Sequence, residues 1–228
     1  MAQNGSKISI AVDGPSGAGK SSLARALAAR LGYLYVDTGA IYRTVGLYTF
    51  RQKRDPGDES AVSALLPTMP LGLRHEDGAQ HMFLGDENVS GAIRSPEMSR
   101  YAALVSKHPA VRAFLLEMQK SLAAKHNTIM DGRDIGTVVL PDAKVKIFLT
   151  ATAEKRAARR HLELTDKGIS ITFDEVLNSI KNRDERDMTR AVSPLRAASD
   201  AVVLDTTELD FGASLQALIE IVQGKVNL

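Results

Sequence analysis

The chain has 228 residues, of which 44% are apolar and 25% charged, with a formal net charge of +2 and no cysteine. That length suits one sizeable core with room for a smaller inserted piece; the composition excludes disulfides and thiolate chemistry, and the charge is too small to mark a nucleic-acid binder. No apolar run approaches a membrane span and residues 1–6 lack the charged-then-apolar pattern of a secretory leader, so the expectation is a cytoplasmic enzyme with neither a membrane nor a nucleic-acid partner.

Residues 7–13 form an apolar stretch that predicts a buried strand. The next eight residues, Gly14, Pro15, Ser16, Gly17, Ala18, Gly19, Lys20 and Ser21, fit the pattern G-x-x-x-x-G-K-[ST] at every fixed position. A helical stretch from Ser21 through Ser22 to Leu31 follows and stops at Gly32. Strand, loop and helix are the context in which this pattern cradles phosphate. The glycines clear side chains from a tight turn, and the amide groups with the helix N-terminus offer partial positive charge. Lys20 is expected to reach the β- and γ-phosphates and the Ser21 hydroxyl to bind Mg²⁺.

A second strand is predicted at 33–36, and Asp37-Thr38 then caps a helix running to Tyr48. Residues 54–58 break the pattern. Residues 71–74, 80–84 and 87–89 read as a small antiparallel insertion, with turns at Asp77-Gly78 and Gly85-Asp86. Helical pattern resumes near Ser95 and from Pro109 to Lys125. Strands are predicted at 128–131 and 145–149. A charged helix spans about Ala153 to Thr165, closed by Lys167-Gly168. Another spans about Thr172 to Met188, with Phe173, Val176, Leu177 and Ile180 on one face. A last strand at 202–205 and a helix from Ser214 to Val222 complete the chain. Five apolar strands alternating with helices predict an α/β fold with a parallel sheet covered on both faces. Ligands in such a sheet bind beyond the carboxyl ends of the strands, which here means near residues 13–21, 37–43, 131–134 and 150–160.

Basic residues recur at those ends: Arg43, Arg133, the group Lys155, Arg156, Arg159 and Arg160, and the run from Arg183 to Arg190. Bidentate guanidinium groups suit phosphate oxygens, as a phosphorylated acceptor requires. The same spacing on helices also describes a solvated face, the better reading for Lys155, and Arg186 can pair with the acids beside it. The five histidines show no metal-ligand spacing, and neither a guanine-binding N-K-x-D segment nor protein-kinase signatures are present. Two classes remain open from the residues alone: a small-molecule kinase, and a regulatory NTP-binding ATPase whose arginine-rich helices meet a partner.

Four segments, residues 13–21, 37–43, 131–137 and 183–195, together resemble the bacterial cytidylate kinases, and the likeness runs from Ile8 to about Val222. The resemblance implies a three-layer P-loop fold with a five-stranded parallel sheet, a small antiparallel insertion in the acceptor-binding part, and a helical lid. It implies one kinase domain over 1–228, with core at about 7–37, 127–152 and 191–224, acceptor region at about 38–126 and lid at about 153–170. The implied activity is transfer of the γ-phosphoryl group of ATP to CMP or dCMP with Mg²⁺; UMP or another small acceptor is the nearest alternative. Residues 14–22 and Arg159 fall on ATP-binding positions, and Lys20, Arg133, Arg156, Arg160 and Arg190 on catalytic ones. Arg43, Arg133 and Arg190 fall where the family holds the acceptor phosphate, Asp134 and Arg112 where it contacts cytosine, and Arg183 and Asp187 where it holds the ribose. Thr38 falls near the acceptor. One departure is Ala103, which stands where some members carry a base-reading serine, with Ser99 and Ser106 to either side. The acceptor is an anionic phosphate oxygen near neutral pH, so no general base is required and neither Asp131 nor Asp134 is expected to be one. Positioning, charge stabilisation and exclusion of water by a closing lid are expected to carry the reaction. A monomer is expected.

Overall fold

The computed structural model describes residues 7–76 and 78–226. In chain order its first half contains β1 (Ser9–Asp13), α1 (Lys20–Leu31), β2 (Leu34–Asp37), α2 (Thr38–Arg51), α3 (Glu59–Ser63), β3 (Leu71–Glu76), β4 (Ala79–Leu84), β5 (Glu87–Asn88), α4 (Pro96–Val105) and α5 (Pro109–Lys125). Its second half contains β6 (Thr128–Gly132), β7 (Val145–Thr150), α6 (Ala153–Asp166), α7 (Phe173–Thr189), β8 (Val202–Asp205) and α8 (Phe211–Gln223). The chain divides into two units, Met1–Leu34 with Asn127–Leu228, and Tyr35–His126.

The parallel sheet follows from its apolar runs. Ile10, Ala11 and Val12 of β1, Ile129 and Met130 of β6, and Ile147 and Leu149 of β7 are each at most 1% exposed, the mark of strands covered on both faces. The five-stranded order is β2-β6-β1-β7-β8. β1 pairs in parallel with β6 and with β7, and β7 in parallel with β8. β1 is therefore central, and its carboxyl end lies between those of β6 and β7. α1 buries Leu23, Ala24, Leu27 and Ala28 on one face and ends at Gly32, left-handed at φ +66°, whose N–H returns to the Ala28 carbonyl. α7 begins with a capping box between Thr172 and Glu175. Val176 and Ile180 pack on Ala157 of α6, with Leu177 partly buried against them. Phe173, expected on that face, is 38% exposed and meets His161 edge-on.

In the second unit α2 and α4 approach closely because Gly46 has no side chain. A Cβ there would stand 2.9 Å from Tyr101 Cβ. The expected insertion is the antiparallel sheet β3-β4-β5, whose register sets His75 opposite Gln80. Met82, Phe83 and Leu84 are its buried residues. The expected turn at Asp77-Gly78 falls partly outside the described residues; Gly78 itself is left-handed at φ +73°. The leader reading at residues 1–6 also lies outside them. Two local features were not legible in the sequence: the short helix α3, capped by the Asp58 side chain, and one π-helical turn at Ile135–Val139. No helix among the described residues is long and apolar enough to cross a membrane.

Candidate active site

The loop after β1 in the first unit has the backbone its glycines allow. Gly14, at φ +148°, runs so close to β7 that a Cβ would lie 1.9 Å from the Leu149 carbonyl oxygen. Gly17 and Gly19 have φ of +77° and +86°, the left-handed region that only glycine enters freely. Lys20 opens α1, is buried, and donates from Nζ to the Pro15 carbonyl at 2.7 Å. Burial and then the nearby Arg133 guanidinium, with Arg183 adding to it, hold its ammonium well below the usual lysine range, while Asp131 and Asp13 oppose them. Ser21 Oγ donates to Asp131 Oδ2 at 2.6 Å.

Asp13, the last residue of β1, and Asp131, the last but one of the adjacent β6, are buried carboxylates. Asp13 accepts from Ile135 N at 2.8 Å and from Gly136 N at 2.7 Å, which fixes the start of the π-helical turn just after Arg133 and Asp134. Burial raises its pKa from 3.8 to about 6, against the lowering effect of those two N–H groups.

The arginines of the first unit fall into distinct settings. Arg133 donates from Nε to Asp187 Oδ2 at 2.8 Å and from Nη1 to the Gly132 carbonyl at 3.2 Å. Arg190 caps α7 at its C-terminus; its Nε donates to the Ser193 carbonyl at 2.5 Å and its Nη2 lies 3.7 Å from Oδ1 of the buried Asp134. Ser193 adopts φ +51° to present that carbonyl, and Leu195 N returns to the Asp187 carbonyl at 2.8 Å. The segment 191–195 is thus a brace for Arg190. Arg183 is exposed.

The three arginines expected to act together from α6 diverge. Arg156 is 4% exposed and donates to the Ala151 carbonyl, to the Ser16 carbonyl of the glycine loop at 2.9 Å and to Asp184 Oδ2 at 2.6 Å. Arg159 donates to the carbonyls of Thr206 at 2.6 Å and Leu209 at 3.1 Å, on the loop after β8. Arg160 is exposed and pairs with Glu163, and Lys155 is exposed. Sequence reasoning missed the parts played by Asp13, Asp131 and Asp184. The available signal was positional: the first two close apolar strands, and Asp184 lies four residues after Ile180 on the buried stripe of α7.

In the second unit Asp37 caps α2 through Ala40 N at 2.8 Å and pairs with Arg43 Nη2 at 2.9 Å. Thr38 beside it is buried. Arg112 on α5 stands 5.9 Å from the Tyr42 ring and donates to the Ser106 carbonyl at 3.4 Å. Ala103 is exposed, and the hydroxyls of Ser99 and Ser106 on either side donate to the carbonyls of Ser95 and Ala103. Among the described residues no group of three or more His, Asp or Glu side chains could hold a metal.

A family model for cytidylate kinase matches residues 10–224. A cytidylate kinase of Caldicellulosiruptor bescii is 49% identical over 215 residues, covering 94% of this chain and 95% of that one. One from Carboxydothermus hydrogenoformans is 46% identical, covering 95% and 97%, and one from Bacillus cereus 43% identical, covering 96% and 97%. Among solved structures, an uncharacterized protein from Eubacterium ventriosum superposes with a TM-score of 0.54 at 13% identity, covering 95% of this chain and 99% of that one, a likeness of fold. Glycine loop, buried lysine, strand-end carboxylates and identity over nearly the whole length agree, and the chain belongs to the cytidylate kinase family.

Proposed function

We propose that the protein transfers the γ-phosphoryl group of ATP to CMP or dCMP, giving ADP and CDP or dCDP. The observation that carries the reading is the family match across residues 10–224, which spans both the glycine loop and the arginines of the second phosphate site. Residues 14–22 cradle the ATP phosphates, and Arg159 takes part in binding ATP. Lys20, close to Arg133 and Arg183, belongs to a cluster of cations whose mutual repulsion a polyphosphate relieves.

Ser21 and Asp131 fit Mg²⁺: both offer hard oxygen donors, they are already hydrogen-bonded, and Mg²⁺ needs only one or two protein oxygens beside phosphate and water. Held there, Mg²⁺ would supply charge neutralisation for the phosphate chain. The chain's own residues do the rest. Lys20, Arg133, Arg156, Arg160 and Arg190 stabilise charge on the transferring group. Thr38, Arg43, Arg112, Asp134, Arg183 and Asp187 hold the acceptor, with Arg133 and Arg190 shared between the two tasks. Residues at about 153–170 act as a lid that keeps water from accepting the phosphoryl group. In the same reading the enzyme works as a monomer in the cytoplasm on small molecules alone, with no nucleic-acid or membrane partner.

An assay of ADP release with CMP, dCMP, UMP and AMP tests the proposal. CMP and dCMP are expected to drive turnover far above UMP and AMP. Preference for UMP or AMP overturns the acceptor, and ADP release without any acceptor points to a regulatory ATPase instead.

A further inference from the structure

Arg43 is the one proposed phosphate-holding arginine of the second unit, and its setting there is unusually well built. Its Nη2 is on Asp37, while its Nε is buried with no hydrogen-bond partner. An unpaired buried donor is costly, so the Asp37 contact rather than full satisfaction of the guanidinium holds Arg43 where it is. Gly39 makes room for it: a Cβ there would meet Arg43 Nη1 at 3.0 Å and Asp37 Oδ1 at 3.1 Å. Arg43 is thus oriented by Asp37, and the position of Asp37 becomes the question.

Asp37 is held by the small antiparallel sheet. Gln80 of β4 accepts from Asp37 N at 2.7 Å through Oε1 and donates to the Asp37 carbonyl at 3.2 Å through Nε2. An amide side chain that both accepts from and donates to one residue reproduces what a neighbouring strand does in a hydrogen-bonded pair. It also fixes which end of the amide is oxygen. His75, directly across from Gln80 in the β3–β4 ladder, contacts the Tyr35 carbonyl through Nε2 at 2.8 Å. A carbonyl only accepts, so that nitrogen carries the proton. Residues two apart on a strand present their polar groups to the same edge, and β2 is the outermost strand of its sheet. The cross-strand pair His75–Gln80 therefore grips the backbone of β2 at Tyr35 and Asp37, immediately before α2 begins.

We propose that Gln80 is a positioning residue for the acceptor: it fixes the Asp37 backbone, Asp37 fixes the Arg43 guanidinium, and the antiparallel insertion thereby sets affinity for the acceptor's phosphate. Its chemistry is that of a pyrimidine nucleoside monophosphate's dianionic phosphate met by the pre-aimed Arg43 guanidinium. This inference rests on the reading that Arg43 binds the acceptor phosphate.

A double-mutant cycle on the full-length enzyme tests both separately. The CMP dissociation constant is measured by calorimetry for the parent, Gln80→Leu, Arg43→Ala and the double variant, and the KM for ATP and kcat are recorded alongside. Gln80→Leu is expected to weaken CMP binding about tenfold while the ATP KM stays within about twofold. In the Arg43→Ala background the same change is expected to cost less than about twofold, because its route is already cut. An equal loss in both backgrounds, or a matched rise in the ATP KM, means a general structural role and overturns the inference. Unchanged CMP binding in Arg43→Ala alone removes the reading beneath it, and the inference with it. Gln80→Met, which fills similar space without an amide, replaces Gln80→Leu should that variant fail to fold.

Discussion

At Asp13 one side chain carries two opposed demands. Burial disfavours its charge, yet only the carboxylate accepts from both Ile135 N and Gly136 N. Its folded pKa of about 6 lies above the ordinary 3.8. Below that ordinary value folded and unfolded chains are both protonated; between the two values only the unfolded chain ionises, so stability from this group falls as pH rises, and above the folded value the penalty is constant. Relative to the parent, Asp13→Asn is expected to gain stability from about pH 4 to about pH 6 and then level off, by about 3 kcal/mol at full titration. Urea unfolding at several pH values reads it; a pH-independent difference would show that Asp13 titrates normally. Lys20 poses the converse case, a cation buried beside other cations. Lys20→Ala is expected to lower turnover at least about a hundredfold by loss of an electrostatic stabiliser, and near-normal turnover in the ADP-release assay would end its catalytic assignment.

The arginines of α6 show what helical spacing conveys and what it omits. Arg156, Arg159 and Arg160 were legible as a basic group following a strand end, but residues at i, i+3 and i+4 share only a broad side of the helix, with Arg156 a turn before the other two and the consecutive Arg159 and Arg160 about a hundred degrees apart. Their targets are therefore different: the glycine loop and α7 for Arg156, the loop after β8 for Arg159, and a neighbouring glutamate for Arg160. The Arg156–Asp184 pair is buried on both sides, and Asp184 Oδ1 has no hydrogen-bond partner. Removing the arginine alone leaves an uncompensated carboxylate, so Arg156→Met is expected to destabilise the protein by about 3 kcal/mol. Asp184→Leu added to it is expected to recover most of that loss. Denaturant midpoints decide; a single variant as stable as the parent would mean that the pair carries no structural role. Segment 191–195 makes the same point for loops: its sequence was part of a recognisable motif, yet the left-handed Ser193 that braces Arg190 was not legible, because a serine seldom adopts φ +51°.

On the scale of the whole molecule, the proposed specificity draws on residues from distant parts of the chain. Asp134, buried near Arg190, is proposed to read the cytosine amine, which uracil lacks. Asp134→Ala is expected to cut kcat/KM for CMP by more than about tenfold beyond its effect on UMP; equal losses would take Asp134 out of base reading and leave it as a support for Arg190. The alternating strands, the glycine loop, the antiparallel insertion and the family were all determined by sequence alone. They depend on periodicity and on residue types at fixed spacing, which are local properties of a chain. Tertiary structure decided which partner each buried carboxylate meets. Asp13 with the turn at 135–136, Asp131 with Ser21, and Asp184 with Arg156 are separated by 122, 110 and 28 residues. The first two arise only when the sheet order brings the ends of β1 and β6 together and the third only when α7 packs on α6, because hydrogen bonds and ion pairs are set by distance in space rather than by distance along the chain.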